Sequence, residues 1–143
     1  DNLSKIKVYT DGASRGNPGE SGIGIVIYDS TGAVLKTWNE YTGKSTNNQA
    51  EYNALLKSLE LIKELKLNHE ITFIEFYADS QLMVRQINME YKVKDAGLLP
   101  LFKKAQSELN SLKIPHTIKH IERKLNKEAD KLANMGIDNR HSL

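Results

Sequence analysis

The fold is decided by the stretch Thr10-Asp11-Gly12-Ala13-Ser14-Arg15-Gly16-Asn17-Pro18-Gly19. Polar and apolar residues alternate in the preceding segment, residues 5–9, which is typical of a β-strand. The glycines and the proline that follow predict a turn directly after this strand. Asp11 is therefore expected at the C-terminal end of a strand, beside backbone that a ligand can approach closely. Taken alone, the same Asp-Gly pair is also typical of a β-hairpin turn.

The composition is that of an ordinary globular chain, which we expect to form a single domain over residues 1–143. Hydrophobic residues make up 39% of it, and no apolar run approaches the roughly 20 residues that span a bilayer. No secretory signal is visible, so we expect a cytoplasmic monomer with no membrane partner. The absence of cysteine excludes disulfides, thiolate metal sites and cysteine nucleophiles. A net charge of +2 weakly favours an anionic partner.

Five strands and four helices are predicted from the periodicity of apolar residues. The strands after the first cover residues 22–28, 33–41, 71–78 and 116–122, and the first three strands indicate an antiparallel meander. The helices cover residues 46 to about 67, 81–87, 97–112 and a segment that Asn126 would cap. Thr46 and Gln49 have the spacing of a capping box at the start of the first helix. Strands that alternate with helices after a meander predict an α/β fold, a mixed sheet covered by helices.

Four carboxylates occupy positions that favour a shared site. Asp11 and Asp79 each follow a strand, and Glu51 lies four residues before Leu55 on the inward face of the first helix. A buried carboxylate costs free energy unless something pairs with it. Asp130 lies in the first turn of the last helix, where the helix dipole favours an anion. Each position also has an ordinary structural explanation, such as helix capping by Asp79 and Ser80.

Convergence of these four groups would require a bound cation. The ends of the first and fourth strands can be neighbours in a mixed sheet, and carboxylates gathered at one place repel each other. Oxygen ligands without cysteine or clustered histidine favour Mg²⁺, with Mn²⁺ as the alternative. Two such ions about 4 Å apart are the usual means of cleaving a phosphodiester.

The combined motifs resemble those of type 1 ribonucleases H. The resemblance runs from about residue 5 to about residue 138 and is carried by Thr10-Asp11-Gly12 with Gly16-Asn17-Pro18-Gly19, Thr46-Asn47-Asn48-Gln49-Ala50-Glu51-Tyr52, Asp79-Ser80 and Asn126-Lys127-Glu128-Ala129-Asp130. It implies a ribonuclease H-like fold, with a five-stranded mixed sheet and helices on both faces. It also implies a metal-dependent endoribonuclease that hydrolyses the RNA strand of RNA/DNA hybrids with two metal ions, leaving 5′-phosphate and 3′-hydroxyl ends. Asp11, Glu51, Asp79 and Asp130 match the family's four metal-binding, catalytic carboxylates.

The resemblance also implies which residues contact the hybrid. Side-chain amides can donate to and accept from 2′-hydroxyls, the groups that distinguish RNA from DNA. For Asn47, helix capping and substrate contact are both open, whereas for Asn48 substrate contact is favoured. Thr46 matches a position that helps hold a phosphate of the DNA strand. The predicted substrate-binding residues are Gly12, Asn17, Thr46, Asn47, Asn48 and Gln49.

The chain departs from better-known bacterial members in two places. Those members carry a catalytic histidine in a mobile loop before the last helix, whereas here residues 123–125 form a short loop without histidine. Short-loop members carry an arginine near this position, so Arg123 is a candidate catalytic residue that steers phosphate. The second departure is a missing basic extension, since residues 89–96 carry only Lys92 and Lys94. We therefore expect weak hybrid affinity with a shallow salt dependence.

Two other functions compete with the nuclease. A non-catalytic module that binds hybrids would gain nothing from clustered negative charge facing phosphates. A junction resolvase or transposase core on the same fold is disfavoured by the amide-rich residues 46–49, which fit recognition of 2′-hydroxyls. Activity on double-stranded RNA is a further possibility, which some short-loop members share.

Overall fold

The computed structural model describes residues 5–140, so residues 1–4 and 141–143 of the predicted 1–143 domain lie outside the described residues. Five strands form one mixed sheet in the order β3-β2-β1-β4-β5. β1 pairs antiparallel with β2, and β2 with β3, whereas β4 lies parallel to β1 and β5 parallel to β4. The predicted meander and mixed sheet are therefore confirmed. The strands are β1 (Lys5–Gly16), β2 (Gly19–Tyr28), β3 (Val34–Ser45), β4 (Phe73–Ala78) and β5 (His116–His120).

Four α-helices and one 3-10 turn accompany the sheet within the described residues. Thr46 caps the first helix with the expected capping box, because its hydroxyl accepts from the backbone N–H of Gln49 and the Gln49 side chain accepts from the N–H of Thr46. Pro100 lies in the first turn of the third helix, as its missing N–H requires. None of the described helices is long and apolar enough to cross a bilayer. The elements are α1 (Asn47–Leu65), α2 (Gln81–Ile87), α3 (Leu99–Leu112), the 3-10 turn (Arg123–Leu125) and α4 (Lys127–Asp138).

The two faces of the sheet are covered differently. Alternate residues of β1, such as Ile6 and Val8, are fully buried in a core shared with α1, α2 and α3. On the opposite face, α4 lies directly on β2, where a Cβ added to Gly24 would come within 2.1 Å of the Ala129 carbonyl oxygen. Gly24 therefore permits the close approach of α4 because it has no side chain. Helices thus cover both faces, as predicted.

The predicted turn after residue 9 is wrong. β1 continues through Asp11 as far as Gly16, because it pairs with β2 along its whole length and the chain reverses only at the cis peptide between Asn17 and Pro18. The parallel pairing with β4 nevertheless ends at Thr10, opposite Ala78. Asp11 is therefore the first residue beyond the parallel part of the sheet, although it lies in the middle of a strand.

The end of β5 and the start of α4 also differ from the prediction. β5 ends at His120, and the predicted loop at 123–125 is a 3-10 turn. Asn126 occupies the N-cap position of α4 but makes no capping hydrogen bond. Its Nδ2 instead donates to the carbonyl oxygen of Thr10 over 2.9 Å, with the side chain buried. This amide joins the start of α4 to β1 at the residue before Asp11.

Candidate functional site

Carboxylates from three elements meet beyond the C-terminal end of the parallel strands. Oxygen atoms of Asp11, Glu51 and Asp79 all lie within 4.8 Å of one another. Asp11 and Asp79 are adjacent because each directly follows a residue of the last parallel pair, Thr10 and Ala78. Asp11 is only 5% exposed and Glu51 only 9%, whereas Asp79 is half-buried, so two of the three carboxylates are largely removed from water. The structure thus brings three of the four predicted carboxylates into one group.

Glu51 reaches the cluster because α1 comes into contact with β1 at Gly12. A Cβ on Gly12 would come within 2.2 Å of the Ala50 carbonyl carbon, so only glycine allows this approach without a shift of the backbone. The backbone N–H of Gly12 then donates to Glu51 Oε1 over 3.1 Å. Glu51 is therefore fixed from two sides, by its own helix and by β1.

The fourth carboxylate, Asp130, lies in the first turn of α4, close enough to Asp11 to contribute to the raised pKa of Asp11. Its side chain is 31% exposed, so Asp130 lies at the solvent-facing side of the site. Asn134 Nδ2 donates to the Asp130 carboxylate over 3.3 Å and to its carbonyl oxygen over 3.0 Å. Arg15 in turn donates to Asn134 Oδ1 over 3.3 Å and pairs with Asp138 at 2.8 Å.

These contacts identify Arg15 and Asn134 as site residues that the sequence interpretation missed. Both line the same cleft as the carboxylates, a depression of about 450 Å³. A signal was available for Asn134, which lies four residues after Asp130 and so on the same side of α4. The cleft is lined by Asp11, Gly12, Ala13, Ser14, Arg15, Asn47, Glu51, Asp79, Arg123, Asp130 and Asn134.

Without a cation, the acidic cluster favours protonation. Burial, followed by repulsion from Glu51 and Asp79, raises the pKa of Asp11 to about 10. Burial, followed by repulsion from Asp79, raises the pKa of Glu51 well above its ordinary value. Both shifts have the sign expected for carboxylates that must share one place without a counterion.

The donor set fits a hard divalent cation. Among residues 5–140, no Lys, Arg or His forms an ion pair with Asp11, Glu51 or Asp79, and Arg123 approaches Asp130 only at 3.8 Å. Three clustered carboxylates offer oxygen ligands and negative charge, and within the described part of the chain no histidine or cysteine joins them. Such a set is suited to Mg²⁺ or Mn²⁺ rather than to a softer metal.

The predicted substrate-contact residues cluster around the start of α1. Thr46 is the N-cap, so the capping alternative for Asn47 is wrong. The Asn47 backbone N–H instead donates to Asn17 Oδ1 over 3.0 Å, which ties the turn after β1 to the helix. Gln49 completes the capping box, and its Nε2 lies 3.5 Å from the Gly97 carbonyl oxygen. The side chain of Asn48 is exposed and makes no hydrogen bond within the described part of the chain.

Arg123 lies at the rim of the cleft. Its side chain is 81% exposed, and its guanidinium is 3.8 Å from the Asp130 carboxylate. His120 ends β5 as an exposed residue and does not line the cleft. Within the described residues, Arg15 and Arg123 are therefore the two basic side chains that line the cleft with the four carboxylates.

Comparison with known proteins gives a consistent picture. A family model described as "Reverse transcriptase-like" matches residues 9–136. Ribonuclease HI of Halobacterium salinarum is 34% identical over 96% of this chain and 67% of its own length. The chain covers only 36% of the bifunctional protein Rv2228c of Mycobacterium tuberculosis, with 33% identity. The crystal structure of LC11-RNase H1 in complex with an RNA/DNA hybrid superposes with a TM-score of 0.90 and 39% identity, covering 95% of this chain and 99% of that one.

Proposed function

The chain belongs to the type 1 ribonuclease H family, and we propose that it hydrolyses the RNA strand of RNA/DNA hybrids as a metal-dependent endonuclease. The observation that carries this proposal is the group of three carboxylates within 4.8 Å that no described basic residue neutralises. A protein that only bound nucleic acid would be weakened by such a group facing phosphates. The hybrid bound by LC11-RNase H1 supports the choice of substrate.

Asp11, Glu51, Asp79 and Asp130 would hold two Mg²⁺ ions, or Mn²⁺ as the alternative, when a substrate is bound. The ions would supply the activation of the attacking water and the stabilisation of the leaving oxygen, so that 5′-phosphate and 3′-hydroxyl ends result. The residues themselves supply position. Asp11 and Asp79 are fixed by strand pairing, and Glu51 by the Gly12 N–H. Asp130 is held from the outside by Asn134, at the more exposed side of the site.

The start of α1 would read the hybrid. Asn48 and the side-chain amide of Asn47 are free to meet 2′-hydroxyls, which amides can recognise as both donors and acceptors. Asn17 already accepts from the Asn47 N–H, so its Nδ2 is the part of the side chain left for a substrate. Thr46 would assist at a phosphate of the DNA strand, and Gln49 and Gly12 shape the surface between this segment and the cleft.

Arg123 would steer a substrate or product phosphate. The guanidinium of Arg123 is exposed and lies 3.8 Å from the carboxylate of Asp130. Asp130 is itself more exposed than Asp11. Replacing Arg123 by Ala is expected to reduce turnover to about 10% or less while hybrid binding is retained, because a single charge-assisted phosphate contact is lost. An unchanged rate would remove Arg123 from the mechanism.

A panel of substrates tests the proposal. End-labelled hybrid, RNA duplex and DNA duplex are incubated with Mg²⁺, with Mn²⁺ and with a chelator. We expect cleavage of the hybrid's RNA strand that requires a divalent ion and is lost by at least 100-fold in Asp79→Asn. Hybrid binding without cleavage would favour the non-catalytic module, and cleavage of duplex DNA would favour a resolvase or transposase. Cleavage of the RNA duplex would add double-stranded RNA as a second substrate.

Three further features stay predictions: the single domain over residues 1–143, the monomeric state and the cytoplasmic location. Gel filtration coupled to light scattering measures the oligomeric state, and a single cooperative transition in urea unfolding is expected for a single domain. A mass near 16.2 kDa for the isolated chain is expected.

A further inference from the structure

Three tyrosines lie together on the face of the sheet that α4 leaves partly open. Tyr9 stacks on Tyr77 with ring centroids 4.9 Å apart, and Tyr28 meets Tyr9 edge-on at 5.5 Å. All three side chains are half-buried, so part of each ring remains accessible. α4 makes its main contacts with β2, β3 and β1, which leaves β4 and β5 largely uncovered on this side. We call this surface, defined by Tyr9, Tyr28 and Tyr77, the tyrosine face.

Lysines surround the tyrosine face. Lys119 pairs with Tyr77 across β4 and β5, and Lys7 pairs with Tyr28 across β1 and β2. Lys7, Lys119 and Lys127 form no ion pair within residues 5–140. Two of the three carboxylates of this region are paired with lysines, because Lys5 lies 3.3 Å from Glu75 and Lys124 lies 3.3 Å from Glu122. The third, Glu128, forms no ion pair within the described residues and leaves one negative charge beside the lysines.

A cavity of about 230 Å³ opens between Tyr9, Tyr28 and the start of α4. No side chain caps the first turn of α4, so the backbone N–H groups of that turn have no side-chain acceptor from the N-cap residue. Asn126 lines the cavity with its side chain 98% buried, and its Oδ1 accepts no hydrogen bond within the described chain. The cavity therefore combines two aromatic walls with the charged side chains of Lys124, Lys127 and Glu128.

We propose that the tyrosine face binds single-stranded nucleic acid, with bases stacked on the tyrosine rings and phosphates held by the surrounding lysines. Aromatic side chains offer a stacking surface to any base, and lysines complement the backbone charge without selecting a sequence. RNA and single-stranded DNA share this chemistry.

The tyrosine face is next to the cleft but separate from it. The 3-10 turn lies between them, since Arg123 lines the cleft and Lys124 lines the cavity. A single-stranded segment that continues from a hybrid in the cleft could therefore cross the turn and reach the tyrosines. That source of the strand rests on the proposed function, whereas binding of a free strand does not.

The test measures binding without catalysis. Fluorescence anisotropy follows a labelled, unstructured RNA of about 12 nucleotides, and DNA of the same sequence, with a chelator present. Native protein is expected to bind saturably, and the double variant Tyr9→Leu/Tyr77→Leu to bind about tenfold more weakly or worse, since stacking is lost. Lys7→Gln changes an exposed side chain and should weaken binding about two- to fivefold without affecting folding. If native protein binds only one of the two strand types saturably, the tyrosine face is assigned to that strand type.

Tyr91→Leu is the matched control, because Tyr91 is an exposed tyrosine between α2 and α3, outside the tyrosine face. Its affinity for the labelled strands should stay within twofold of native. Equal affinity of native protein, the double variant and Lys7→Gln would overturn the proposal, as would the absence of saturable binding by native protein. Cleavage of a blunt hybrid with Mg²⁺ is measured in parallel. Failure of cleavage would contradict the proposed function and leave the binding result to be judged by itself.

Discussion

Replacing Asp11 by Asn should stabilise the metal-free protein. Folding transfers this carboxyl from water, where its pKa is 3.8, to a site where burial and the neighbouring carboxylates raise its pKa to about 10. Between these values the folded protein binds more protons than the unfolded chain, so its stability falls as the pH rises. At pH 7 the span above 3.8 is about 3 pH units, which at about 1.36 kcal/mol per unit gives an upper limit of about 4 kcal/mol.

The net gain is smaller than this limit, because the amide of Asn must still be buried and Glu51 still faces Asp79. We expect about 1–3 kcal/mol at pH 7, which raises the melting temperature by roughly 3–5 °C per kcal/mol for a domain of this size. The gain should vanish near pH 4, where the unfolded carboxyl is also protonated, and should grow up to about pH 10.

Thermal unfolding followed by circular dichroism between pH 4 and pH 9, with a chelator present, measures this gain. Asp29→Asn is the matched control, because hydrogen bonds from Thr31 and Ala33 lower the pKa of this exposed carboxylate, so its loss should not stabilise the fold. Added Mg²⁺ should stabilise native protein more than Asp11→Asn. A variant that melts at or below the native temperature at pH 8 without metal would refute the argument that the cluster is held together against repulsion.

Three further predictions concern the fold and the substrate. Gly12→Ala should destabilise by about 2–3 kcal/mol, measured by urea unfolding, because its Cβ would come within 2.2 Å of the Ala50 backbone; a neutral effect would contradict the close contact of β1 and α1. Thr46→Ala should cost about 1 kcal/mol through loss of the capping box, with Thr46→Ser as a near-neutral control. Hybrid affinity should depend weakly on salt, with a log–log slope below about 4, and a steeper slope would reveal more phosphate contacts.

The sequence was sufficient for the order of elements and for the meeting of the carboxylates. Periodicity located the strands and helices, and the parallel pairing of β1 with β4, which ends one residue before an acidic residue in each strand, brought Asp11 beside Asp79. The inward stripe of α1 placed Glu51 correctly for the same reason, since helical spacing is a local property. These inferences depended on short-range patterns and on a single rule about strand ends.

The extent of β1 could not be predicted in that way. Glycine and proline signal a turn locally, yet the strand continues to Gly16 because β2 supplies a hydrogen-bonding partner for each residue. The contacts of Arg15 with Asn134 join residues 119 positions apart and have no local signature. Asn126 is similar, because a typical capping residue is drawn instead to the carbonyl oxygen of Thr10. Long-range partners decided all three.

The position of Asp11 shows why the site could be found although its surroundings could not. A carboxylate that is 5% exposed and faces two others violates the rule that buried charges are paired, so the fold alone gives no reason for it. Glu51 violates the same rule on the face of an otherwise apolar helix. Such violations persist where a function requires them, because sequences otherwise agree with their folds at every level. The expected stability gain of Asp11→Asn is therefore a lower bound, in free energy, on the burial and repulsion that a bound metal must offset.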